Sequence, residues 1–120
     1  MQYKSFEDIK VWQDSRNLAV KSYKLINSNS QLRKDYALSD QFRRATCSIM
    51  LNIAEGFERT SKREFAYFLN IAKGSAGEVR SILYIMKDVE FINEEEFNQF
   101  YVEVKNISMQ LCSFRNFLIR

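Results

Sequence analysis

The 120-residue sequence contains no histidine and no proline, and it has only three glycines and two cysteines. Without histidine it lacks the commonest general base and the commonest transition-metal ligand. Without proline, and with glycine only at positions 56, 74 and 77, it has little turn chemistry for strands and nothing like a glycine-rich phosphate loop. No run of about 18 apolar residues occurs, so no membrane-spanning helix is expected, and the opening MQYKSFEDIK lacks the apolar core of a signal peptide. A cytoplasmic protein is therefore expected. Cys47 and Cys112 lie in apolar helical stretches and read as free thiols acting as small hydrophobes, with a disulfide the lesser alternative.

These absences also bear on catalysis. Glu55, Glu58 and Glu64 could pair as carboxylates, but no histidine, cysteine pair or second carboxylate cluster joins them. A ferritin-like di-iron centre needs Glu-x-x-His motifs, which this chain cannot supply. No enzyme activity, metal or cofactor is expected, and function falls to binding other macromolecules. The composition is that of a soluble globular protein, 46% apolar and 28% charged, and the length suits one domain, residues 1–120, with one core. A formal charge of +3 permits an anionic partner without requiring one.

Helical periodicity runs through four segments. Ser5 with Asp8 has the spacing of a capping box and opens the first, which carries Ile9, Trp12, Ser15, Ala19 and Ile26 on one face and ends near Asn27. The polar stretch Asn27 to Gln31 reads as the longest connection. A second helix starts near Ser39, repeats Phe42, Ala45, Ile49 and Ile53, and stops at Gly56. Ser61 and Glu64 open the third, whose apolar face is Phe65, Phe68, Ala72, Ala76, Val79, Leu83 and Met86. Asn93 caps the fourth, with Glu94, Glu95 and Glu96 favourably placed at the positive end of its dipole. Its seam, Phe97, Phe100, Val104, Ile107, Leu111, Phe114 and Leu118, steps by three and four without a polar interruption. Long helices joined by short turns imply an all-α, antiparallel, up-down-up-down four-helix bundle.

Four features could carry function. Gln41, Arg44, Ser48, Asn52, Glu55 and Arg59 form a polar stripe along one side of the second helix. There Asn52 reads first as a buried hydrogen-bonder fixing helix register, and second as a ligand or partner contact. Gly74 and Gly77 interrupt the third helix, each at a cost of about 1 kcal/mol relative to alanine. They read as room for a large neighbour such as Trp12, or else as a kink or docking groove. The cations Arg33, Lys34, Arg43, Arg44, Arg59, Lys62, Arg63, Lys73 and Arg80 cluster in the middle of the chain, a distribution that can track a phosphate backbone. Finally, ten Phe, six Tyr and one Trp exceed what four apolar faces need. Tyr3, Phe6, Val11, Tyr67, Tyr84, Tyr101 and Phe117 fall off the seams, which suggests a subunit interface or, for some of them, a wider core stripe.

The string from Ser48 to Phe57, Ser-Ile-Met-Leu-Asn-Ile-Ala-Glu-Gly-Phe, with Arg59, Ser61, Glu64-Phe65, Phe68-Leu69, Ile71 to Ser75 and Glu78, resembles a known family. So do Phe6 to Asp8, Val11 to Gln13, and Leu38, Gln41 and Arg43-Arg44. The family is that of bacterial four-helix-bundle proteins encoded in intervening sequences of 23S rRNA genes, sometimes labelled ribosomal proteins. A departure is Met50, where the family often has proline, so the second helix should be less kinked here. The resemblance implies a homo-oligomer, a pentameric barrel of bundles. It also brings in a relative similar in fold, the accessory protein of diversity-generating retroelements, which binds nucleic acid and a reverse transcriptase through basic surface. On that resemblance Asn52, Glu55, Gly56, Gly74, Ser75 and Glu78, beside Ser48, are structural motif positions, while Arg43, Arg44, Arg59, Lys62, Lys73 and Arg80, with Arg63 beside them, are candidates for phosphate contact. The expectation is an oligomeric RNA- or DNA-binding bundle. The alternative is an oligomeric protein-binding scaffold that touches no nucleic acid.

Overall fold

The computed structural model describes residues 3–120, and every regular element among them is helical. A 3-10 turn, Phe6–Asp8, leads into α1 (Lys10–Ser28), followed by α2 (Ser30–Lys34), α3 (Tyr36–Phe57), α4 (Lys62–Asp88) and α5 (Glu94–Ile119). The four long helices form a bundle in which α1 touches α3 and α5 but not α4. Cross-helix pairs fix the directions. Between α3 and α4, Phe57 meets Phe65 with ring centroids 6.0 Å apart, and Ser48 Oγ lies 2.9 Å from Ser75 Oγ. Between α4 and α5, Phe65 meets Phe114 at 5.2 Å and Tyr84 meets Phe97 at 5.0 Å. Between α1 and α5, Gln110 donates to Asp14 and Lys21 to Glu103, both at 2.9 Å. In each pair the residue numbers rise on one helix as they fall on the other, so these neighbours run antiparallel. The interior is closed by Phe42, Ile49, Ile53, Leu69, Leu83, Val104 and Leu111, all without solvent exposure, and Phe42 meets Phe100 across the diagonal at 6.0 Å.

Helix starts follow local capping where tertiary packing permits. Asn93 and Glu96 complete a reciprocal capping box, and the Ser61 hydroxyl accepts from the Glu64 amide. At the first helix the expected cap fails. The Ser5 side chain makes no cap bond and only approaches the Asp8 carboxylate at 3.5 Å, while Ile9, extended and 1% exposed, leads into α1. Burial of Ile9, with Phe6 edge-on to Trp12 at 5.1 Å, outweighs one exposed cap. The polar connection after Asn27 is also shorter than expected. Asn29 caps α2 by accepting from the Leu32 amide, Leu32 is fully buried, and Asp35 caps α3, which opens at Tyr36, three residues before Ser39. Ser39 is instead a buried residue whose hydroxyl donates to the Leu32 carbonyl.

Several side chains lie differently from the sequence expectation. Val11 belongs to the core at 3% exposure and Phe6 and Tyr101 are half-buried, whereas Tyr3, Tyr67, Tyr84 and Phe117 are exposed as their places off the seams imply. Phe68 and Phe114 are half-buried, and Leu69 takes the core position beside Phe65. Gly56 sits one residue inside the end of α3, where a Cβ would lie 2.8 Å from both Phe65 Cδ1 and Phe68 Cβ. The glycines of α4 admit no neighbour. A Cβ at Gly74 would meet nothing within 4 Å, and one at Gly77 would meet only Arg80 Nη2 at 3.8 Å. Trp12 cannot occupy that space, because α1 and α4 stand at opposite corners of the bundle. Asn52 is half-buried and donates within α3, to the Ser48 carbonyl at 2.8 Å and hydroxyl at 2.9 Å. The Ser48–Ser75 contact, rather than Asn52, links the two helices. Both cysteines are free and half-buried.

Candidate nucleic-acid interface

The candidate cations divide by helix. On α3, Arg44 Nε lies 3.0 Å from Asp40 and Arg43 lies 3.9 Å from the same carboxylate, with its guanidinium 5.9 Å above Tyr23. Arg59, expected on the same helix, lies in the turn beyond the end of α3, 2.9 Å from Glu55 and 3.9 Å from Glu64, and its guanidinium covers Phe68 at 4.8 Å. Spacings of three and four residues bring Asp40 to Arg43 and Arg44 and Glu55 to Arg59, while Glu64 reaches Arg59 from the start of α4. Each α3 cation thus meets a carboxylate before any anion arrives. Glu78 caps the same side from α4, where Gln41 reaches it at 3.4 Å.

On α4 the pattern reverses. Among the described residues, Lys62, Arg63, Lys73 and Arg80 form no ion pair. Positions seven apart on a helix differ by only about 20° around its axis, so Lys73, Arg80 and Lys87 make one row along α4, with Lys62 near the same line three turns earlier. The facing side of α5 adds Lys105 and Arg115, which are also outside the ion pairs; Lys87 is paired with Glu94 at 3.8 Å. The antiparallel register brings Arg115 to the Lys62 end and Lys105 to the Arg80 end. Lys62, Arg63 and Arg115 line one open hollow of about 570 Å³ with Tyr67 and Asn70. At the far end, the Tyr101 hydroxyl is drawn below the ordinary tyrosine range by the adjoining Tyr84 hydroxyl, then by Lys105 and Arg80. Tyr84 is pushed up, chiefly by Tyr101.

Lys105 and Arg115 are the site residues that sequence reasoning missed. Their signal is the register of α5 against α4, which no reading of charge along the chain contains. Two apolar surfaces adjoin the seam. Tyr67, Ile71 and Ile85 are exposed along the outer face of α4 around the open Gly74, with Leu51 exposed on α3. A hollow of about 670 Å³ between the start of α1 and the end of α5 is lined by Tyr3, Val11, Met109, Phe114 and Phe117. Among the described residues, no helix is long and apolar enough to cross a membrane.

No curated protein matches the chain. A solved structure does: a protein of unknown function from the S23 ribosomal protein family of Bacteroides thetaiotaomicron is 29% identical, with a TM-score of 0.80 over 88% of this chain and 97% of that one. The family described as 23S rRNA-intervening sequence protein matches residues 7–113, nearly the whole of the described bundle. By that match the chain belongs to the 23S rRNA-intervening sequence protein family.

Proposed function

We propose that the protein is a homo-oligomer that binds RNA or DNA through phosphate contacts along the α4–α5 seam, without chemistry on the bound strand. The observation that carries this reading is the row of cations, Lys62, Arg63, Lys73, Arg80, Lys105 and Arg115, which meet no carboxylate while the α3 cations do. An unpaired cation releases a counterion from a phosphate at no internal cost, whereas a paired one must first give up its partner. Self-association is supported by the exposed Tyr67 and Ile71 beside Gly74 on the outer face of α4, with Ile85 exposed three turns further on. The resemblance described above makes a pentamer the assembly of choice.

The test is binding of the purified protein to structured RNA and duplex DNA across a salt series, with its mass in solution measured alongside. Affinity should fall steeply with salt. The combined variant Lys62→Glu, Arg63→Glu and Arg115→Glu should lose binding at least tenfold more than Arg43→Glu with Arg44→Glu, whose cations already face Asp40. Binding indifferent to salt would sink the reading. Absence of binding at low salt by a folded oligomer would leave the protein-binding scaffold as the better account.

A further inference from the structure

Toward the α4–α5 turn the seam changes from bare cations to cations around an aromatic step. Phe97 and Tyr101 stack with centroids 5.4 Å apart and planes 24° apart, and Tyr84 leans on both, at 5.0 and 5.9 Å. Tyr84 remains 46% exposed, with Lys87 Nζ 5.9 Å from its ring centroid. Arg80 and Lys105 flank this step, and Lys87 Nζ sits 4.5 Å above Phe97. Arg80 carries an unmet demand: its Nε–H is covered and has no acceptor. Its guanidinium lies back along α4 toward Gly77, with Nη2 3.8 Å from where a Cβ would stand. Gly77 weakens the helix interior and packs against no other element; a Cβ there would make only ordinary contact with Arg80.

We infer that this end of the seam takes unpaired nucleotides, with a base stacked on Tyr84 and the adjoining phosphate held by Arg80 and Lys105. The inference rests on the nucleic-acid reading above and narrows it to single-stranded segments. A duplex keeps its bases stacked on one another and offers an exposed tyrosine nothing but backbone. A single strand offers free base faces, and cations interleaved with aromatic rings are the arrangement that holds one without regard to sequence. Binding also resolves the Arg80 orphan. When the guanidinium swings from Gly77 to a phosphate, its donors gain anionic acceptors.

The experiment compares a short oligothymidylate with a DNA duplex carrying the same number of phosphates, by fluorescence anisotropy at one salt concentration. The oligothymidylate should bind more tightly. Tyr84→Leu should weaken it about tenfold, leave the duplex and the salt slope unchanged, and be rescued by Tyr84→Phe, which keeps the ring. Arg80→Gln should weaken both probes and flatten the salt dependence. Equal affinity for the two probes, or an oligothymidylate affinity untouched by Tyr84→Leu, overturns the inference while salt-sensitive duplex binding keeps the broader proposal. Failure of both probes to bind overturns both. The comparison of probes on the unaltered protein decides the matter even if a variant folds poorly.

Discussion

At Gly56 a single methyl group decides how closely α3 and α4 can meet. The added Cβ would stand 2.8 Å from Phe65 Cδ1 and Phe68 Cβ and 3.2 Å from the Phe65 carbonyl oxygen, and the Phe65 ring is itself buried. Overpacking of this kind costs about 1–3 kcal/mol, against about 1 kcal/mol of helix propensity gained by alanine. Gly56→Ala should therefore lower stability by about 1 kcal/mol in urea denaturation; a gain would mean that the phenylalanines shift freely. Glu90 presents the reverse case. It is the only non-glycine residue with positive φ among those described, at 63°, in the turn after α4. The Glu90 amide donates to the Lys87 carbonyl at 3.0 Å and the Phe91 amide to the Met86 carbonyl at 2.9 Å, a Schellman closure that usually has glycine at this position. Glu90→Gly should stabilise the chain by about 1 kcal/mol in the same denaturation. The sequence marks Gly56 as the end of a helix but gives no hint that a phenylalanine leans on it. A glutamate in a left-handed turn carries no local signal at all.

Among the elements, α4 is the helix that both neighbours and the outside share. One side holds Phe65, Leu69, Ala72, Ala76, Val79 and Leu83 in the core, another carries the cation row, and the outer face shows Tyr67, Ile71 and Ile85 around Gly74. With nothing within 4 Å of its missing Cβ, Gly74 has no packing reason inside one chain. If copies meet on this face, Gly74→Leu should lower the mass seen by sedimentation while circular dichroism keeps its helical signal; an unchanged mass would put the contact elsewhere. The long helices were legible from their periods, and Ser61 and Asn93 marked two starts correctly, because a cap followed by an apolar repeat is a local signal. α2 and the first turn of α3 were not. Asn29 and Asp35 cap them inside a polar string, and what makes that string helical is Leu32 reaching the core and the Asn29 side-chain Nδ2 donating to the Phe91 carbonyl at 2.8 Å. Those are contacts across the fold, with no trace in the neighbouring residues.

For the molecule as a whole, the formal charge of +3 says less than where the charge is neutralised. Arg43, Arg44 and Arg59 could be picked out as basic in the sequence, and their carboxylate partners at three- and four-residue spacing could be seen there too. Lys105 and Arg115 join Arg80 and Lys62 only after α5 has folded back along α4. If the seam holds phosphates, log affinity should fall linearly with log salt, and each of these cations removed should flatten that slope by roughly one unit, whereas Arg44→Gln should change it little. The dimensions add a consequence of their own. The bundle is 43 Å long and about half as wide, and α4 crosses most of that length as 27 residues with no proline to bend it. A rod of fixed length beside a duplex, each strand of which advances about 3.4 Å per phosphate along the axis, acts as a ruler, with a footprint of about a dozen base pairs per subunit. Oligonucleotides shorter than that leave one end of the seam empty, so affinity should climb with oligomer length and level off where the rod ends.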